Sequence, residues 1–114
     1  MTRFLIVLAS VFFITTTANA HSPLKSTAPQ KDAILEAAPK EIVLNFAKMV
    51  RITKVTLAKD DTEAKLELPF KKFTNDISIP NPTTGVGSYT VNWRALGKDG
   101  HALKGSFSFT VSGE

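Results

Sequence analysis

From residue 42 onward, apolar residues recur at every second position of the chain. Ile42, Leu44 and Phe46 alternate with Val43, Asn45 and Ala47, the period of a strand with one buried face. Val50 and Ile52 keep that phase, whereas Val55 and Leu57 take the opposite one. The switch near Thr53-Lys54 predicts a bulge or a bend. Leu66 and Leu68 follow before Pro69 interrupts. Ile77 and Ile79 form a short alternation that Pro80-Asn81-Pro82 ends. Gly85-Val86-Gly87 reads as a turn ahead of the clearest strand, Ser88 to Ala95. There Tyr89, Val91, Trp93 and Ala95 share one face, and Thr90, Asn92 and Arg94 share the other. The last strand, Gly105 to Val111, turns Phe107, Phe109 and Val111 inward. No long 3.6-residue period occurs. Asp32 to Ala38 is compatible with one helical turn, which Pro39 stops. Short strands separated by turns predict an all-β fold, an antiparallel sandwich of two sheets, with the C-terminal aromatic residues between them.

The first 20 residues stand apart from this pattern. Arg3 precedes an apolar run from Phe4 to Ile14, broken only by Ser10. Such a run has the length of a signal-peptide core and is too short to span a bilayer. Ala18-Asn19-Ala20 places small residues at the −3 and −1 positions of a cleavage site. Residues 1–20 are therefore expected to be a cleaved signal peptide, and residues 21–114 the mature, exported domain. That length suits one small domain with a single core.

Composition narrows the function. The 14 basic and 10 acidic residues leave a net charge of +4, and +3 once the leader takes Arg3 away. Lys71-Lys72 is the only adjacent basic pair of the mature chain, and no basic stripe with interleaved aromatics suggests nucleic acid. Cysteine is absent. Thiolate metal sites and cysteine nucleophiles are excluded, and packing alone must stabilise the exported domain. A metal here is restricted to histidine, carboxylate, amine or Met49, the one mature methionine.

Cleavage after Ala20 makes His21 a residue with two nitrogen donors, its α-amine and its ring. The only other histidine is His101, two residues after Asp99. Asp99-Gly100-His101 falls between the two strongest strands, in a loop or at a strand edge. In extended chain, residues i and i+2 point the same way, and Gly100 leaves room for close approach. Two imidazoles, one amine and one carboxylate suit Cu(II) best, with Zn(II) a weaker occupant. An Asp-Gly pair between strands is also a common turn. The residues alone leave both readings open.

The ordered set of segments resembles the CopC-like periplasmic copper-binding family, also called copper-resistance domain proteins. It begins with His21-Ser22-Pro23-Leu24 and continues through Ala28-Pro29 and Ala38-Pro39-Lys40-Glu41-Ile42-Val43-Leu44-Asn45-Phe46. It is strongest in Gly87-Ser88-Tyr89-Thr90-Val91-Asn92-Trp93-Arg94, then Asp99-Gly100-His101, then Gly105-Ser106-Phe107-Ser108-Phe109-Thr110-Val111. The resemblance covers nearly all of the mature domain. It implies an immunoglobulin-like, Greek-key β-sandwich that binds one Cu(II) near one end. The amine and ring of His21 would form a histidine brace, completed by Asp99 and His101. It further implies a periplasmic, non-enzymatic copper carrier or store, working beside a CopD-like inner-membrane protein, with no nucleic-acid partner. A monomer is expected.

Some features depart from the family pattern. Certain members carry a methionine-rich loop for Cu(I), whereas one thioether, Met49, does not make such a site. Leu96-Gly97-Lys98 stands where the family more often has a small polar residue two positions before the Asp. Glu36 falls in a region where a further family carboxylate approaches copper, without a match close enough to assign it. Two other classes compete with sequestration. One is a histidine-brace copper redox enzyme of the monooxygenase kind, although Asp99 would crowd its oxygen position. The other is a metal-free β-sandwich interaction module.

Overall fold

The computed structural model describes residues 24–113. Seven strands form it: β1 (Leu24–Ala28), β2 (Ile34–Leu35), β3 (Glu41–Lys59), β4 (Thr62–Lys65), β5 (Thr74–Pro80), β6 (Gly87–Gly97) and β7 (Ala102–Val111). No helix occurs among the described residues.

β3 organises the fold because it serves two layers. Its first part, residues 41 to 46, pairs with β1 on one side and β5 on the other. Its second part, residues 50 to 59, pairs with β6 and β4. β6 continues to β7, and β7 to β2. The ladder is therefore continuous but curls over itself into a sandwich of the immunoglobulin-like kind. Ala47, Lys48 and Met49, between the two parts, are all exposed. The alternation that runs evenly through the sequence is interrupted there. Lys48 has the parity of Phe46 and Val50, yet it lies outside, because the strand is crossing from one layer to the other.

The alternating residues form one core. Ile42, Leu44, Phe46, Ile77 and Ile79 come from the first layer, and Val55, Leu57, Tyr89, Val91, Trp93, Phe107, Phe109 and Val111 from the second. Phe46 meets Trp93 edge to face, with centroids 5.2 Å apart and planes at 82°. Tyr89 stacks on Phe109 at 5.0 Å. Both are favourable aromatic geometries. The phase switch near Thr53-Lys54 is a bulge: the register against β6 shifts between Ile52 and Lys54, and Thr53 and Lys54 are both exposed.

Trp93 fits because its cross-strand partner is Gly105. A Cβ at Gly105 would stand 2.6 Å from Trp93 Cζ2. The indole occupies the space that a side chain would fill. Among the described residues, its buried Nε1 has no hydrogen-bond partner.

The helical turn considered for Asp32 to Ala38 does not form. Asp32 adopts φ +64°, and Ile34–Leu35 pairs parallel to Thr110–Val111. Asp32 N donates to Ser108 O at 2.7 Å, Thr110 N to Ala33 O at 2.9 Å and Ser112 N to Leu35 O at 2.8 Å. Seven residues gain little from a lone helical turn. Extended, they satisfy and cover the open edge of β7, and Ala33 and Leu35 pack on the core.

Candidate metal centre

The hairpin joining β6 to β7 carries the candidate ligands. Gly97 N donates to His101 O at 2.9 Å, and Gly100 N to Gly97 O at 3.0 Å. Gly100 turns the chain with φ +88°, a conformation that glycine adopts without a Cβ clash. The hairpin is stapled on both sides of the turn, so Asp99 and His101 sit on a backbone of fixed shape.

The two side chains meet. Asp99 Oδ1 accepts a hydrogen bond from His101 N at 3.1 Å, and Asp99 Oδ2 lies 2.7 Å from His101 Nδ1. They come together through the turn, not through the i, i+2 geometry of an extended chain. The carboxylate orients the ring by Nδ1. Among the described residues, nothing is bonded to Nε2. A carboxylate on one ring nitrogen fixes the tautomer and makes the other nitrogen a better donor to a metal. The side-chain bond to His101 is the main reason that the Asp99 carboxyl lies below its ordinary range, and the backbone bond from His101 acts in the same direction. Asp99 is therefore ionised at neutral pH. Both side chains are largely in solvent, His101 at 80% and Asp99 at 66% relative exposure.

Around this tip the structure gathers cations and one ring. Lys98 Nζ stands 5.6 Å from the centroid of Phe73, and the Arg51 guanidinium 5.8 Å from the same ring. Lys98 is thus held over an aromatic face. Neither Phe73 nor Arg51 was a candidate from sequence. Their proximity follows from Val50, which pairs with both Thr74 and Gly97.

The other candidates lie elsewhere. Glu36 is exposed beside Gly85, Val86 and Val111. It adjoins the end of β7 opposite to His101, about 30 Å along the strand at ~3.3 Å per residue. The fold does not bring it to the hairpin. Met49 is 43% exposed in the crossing segment of β3. His21 and the leader lie outside the described residues. Among the described residues, no group of three or more His, Asp or Glu side chains converges. Asp99 and His101 form a two-donor fragment there.

Residues 24–112 match the model of the CopC domain. The chain belongs to the CopC family. Copper resistance protein C of Escherichia coli is 33% identical over 107 positions, spanning 82% of this chain and 83% of that protein. Protein YobA of Escherichia coli strain K12 is 30% identical over 117 positions, with 96% and 93% spanned. Among solved structures, CopC from Methylosinus trichosporium OB3b superposes with a TM-score of 0.65 at 25% identity, covering 82% of this chain and 96% of that one. PcoC from Escherichia coli, a methionine-rich copper resistance protein, superposes with a TM-score of 0.58 at 30% identity, covering 82% and 100%. CopC proteins are copper-resistance proteins and not enzymes, which sets the redox-enzyme reading aside.

Proposed function

We propose that this chain is a periplasmic Cu(II)-binding protein that sequesters or carries copper. Residues 1–20 are the cleaved leader, and residues 21–114 the working domain. One Cu(II) is the cargo, held by the amine and ring of His21 and by Nε2 of His101, with Asp99 orienting the His101 ring through Nδ1. The observation that carries this reading is the 2.7 Å contact between Asp99 Oδ2 and His101 Nδ1 on an exposed hairpin of a CopC domain. An oriented imidazole beside an ionised carboxylate, in solvent, suits capture of a cation. Relatives named for copper resistance support copper as that cation.

The direction of β1 supports His21 as the remaining donor. β1 runs antiparallel to β3, with Ser26 opposite Asn45 and Leu24 opposite Phe46. Leu24 is thus the end of β1 nearer Val50, whose partner is Gly97. Only Ser22 and Pro23 lie between Leu24 and His21, and three residue steps reach about 10 Å in extended chain. Leu24 and the hairpin tip thus belong to the same end of the sandwich.

Nitrogen and carboxylate donors favour Cu(II) over Cu(I). The site holds its donors on a rigid hairpin and one chain terminus, as a carrier requires. A CopD-like membrane protein is the proposed acceptor, and the carrier works as a monomer. The deciding experiment is a Cu(II) titration of the processed chain followed by electron paramagnetic resonance. One equivalent should bind in a nitrogen-rich environment. The same affinity in a chain with one extra residue before His21 would overturn the brace.

A further inference from the structure

The outer face of the second layer carries a charge pattern that the metal centre does not use. Lys54 stands opposite Arg94, and Arg94 opposite Lys104. Three cations form one row across three adjacent strands, whose backbones lie ~4.8 Å apart. All three are exposed, and among the described residues no salt bridge joins any of them to a carboxylate. The neighbouring row is Lys65, Thr56, Asn92 and Ser106, again in direct register. It adds a fourth cation and three neutral hydrogen-bonding side chains. Lys54, Arg94, Lys104, Thr56, Asn92 and Ser106 line one open cleft of about 450 Å³, where Glu63 is the single carboxylate.

Like charges directly opposite one another across a sheet oppose folding. Neutral polar residues would serve the sheet better, and among the residues lining the cleft Glu63 alone sets a carboxylate against the three cations, with Lys65 of the neighbouring row a fourth. A bound anion would offset the repulsion. We propose that this face binds an acidic segment of a partner protein. Cations spread over about 10 Å of three strands match carboxylates spaced along an extended segment. A compact anion needs donors that converge. The exposed large apolar residues Ile34, Met49 and Val86 do not line the cleft, so it lacks the side chains that insert into a lipid surface. Its one aromatic residue, Trp93, is buried and offers no platform for a base. Lys104 lies three residues from His101. A segment docked here is therefore about 10 Å along β7 from the candidate metal ligands, beside the point where a cargo would be handed over. The face itself does not depend on the copper reading.

The test uses the processed chain without added metal and a fluorescein-labelled ten-residue peptide of alternating Asp and Ser. Fluorescence anisotropy should show binding that weakens with salt. The triple variant Lys54→Gln, Arg94→Gln, Lys104→Gln should bind at least about fivefold more weakly. A control triple of equal charge change on exposed positions elsewhere, Lys31→Gln, Lys40→Gln, Lys71→Gln, should lose less than about twofold. The double variant Lys54→Gln, Lys104→Gln, which keeps the Arg94 stem on the sheet, should fall between. The row variants should melt no lower than the native chain, because they remove repulsion. Absence of peptide binding, or equal loss in both triples, overturns the proposal. So does a lower melting temperature of the row variants, or tighter binding to phosphatidylglycerol vesicles than to the peptide.

Discussion

His101 Nδ1 and Asp99 Oδ2 lie 2.7 Å apart on a hairpin whose ends are closed by the bond from Gly97 N to His101 O. The carboxylate therefore acts on the imidazole before any metal arrives. It selects the tautomer and leaves Nε2 as the donor. This relationship separates the two residues by role, and the separation can be measured.

Replacing His101 by Ala removes a ring donor and should weaken Cu(II) by more than about 100-fold. Asp99→Asn keeps the shape of the side chain but weakens its hold on the ring, and should weaken binding by about 10- to 100-fold. Competition against a chelator of known affinity measures both. A larger loss for Asp99→Asn than for His101→Ala would reverse the assignment.

Copper affinity should fall as pH drops, because the amine and imidazole donors must shed their protons to bind. The Asp99 carboxyl is held below its ordinary range by His101, so it stays ionised down to the ordinary Asp range and adds nothing to the slope above it. Asp99→Asn should shift the whole affinity curve down and leave its slope unchanged. The carboxylate's contribution disappears only below the ordinary Asp range, as pH falls through its depressed value.

Gly105→Ala should destabilise the fold by about 1 to 3 kcal/mol, as overpacking does. The new Cβ would stand 2.6 Å from Trp93 Cζ2 and 2.9 Å from its Nε1, and the backbone at 105 needs no glycine on its own account. Urea unfolding followed by emission of the single tryptophan reports it. An unchanged midpoint would show that the indole has room to move.

Tyr89 provides an alkaline prediction. Its hydroxyl donates to Gly85 O at 2.6 Å, and burial, followed by the charge of Asp60, raises its pKa above 10.0. A raised pKa means that the folded state keeps its proton after the unfolded state has lost it. Stability from this group is complete below about pH 10 and is lost as pH climbs through the higher folded value. Tyr89→Phe should cost about 1 kcal/mol at neutral pH and lessen the alkaline loss. Thermal melts between pH 7 and 11 compare the two.

Much of the fold was legible because a half-buried strand imposes a period of two. The faces of β6 and β7, the first part of β3 and the short β5 could each be read from that period, and so could the bulge at Thr53-Lys54. β1, β2 and β4 were not legible. Leu24–Ala28 and Thr62–Lys65 carry little apolar alternation, and their pairing to β3 comes from main-chain bonds that do not depend on side-chain identity. Leu66, read as part of a strand, is buried just past β4 and donates its N–H to Val55 O. Asp32 to Ala38 misled for a related reason. Its local preference is weak, and the open edge of β7 decides its conformation.

The candidate site divides in the same way. Asp99, Gly100 and His101 are neighbours in sequence, so a short turn was enough to bring them together, and the residue types announced their chemistry. Sequence alone also determined the absence of thiolate, the scarcity of thioether and the two histidines on which the copper reading stands. The tertiary structure decided everything that depends on distance across the sheet. It sent Glu36 to the far end of β7. It put Arg51 and Lys98 on Phe73 and aligned Lys54, Arg94 and Lys104 in one row. Those relationships join residues tens of positions apart, and strand register sets them. Register is a property of the paired chain, and no local pattern contains it.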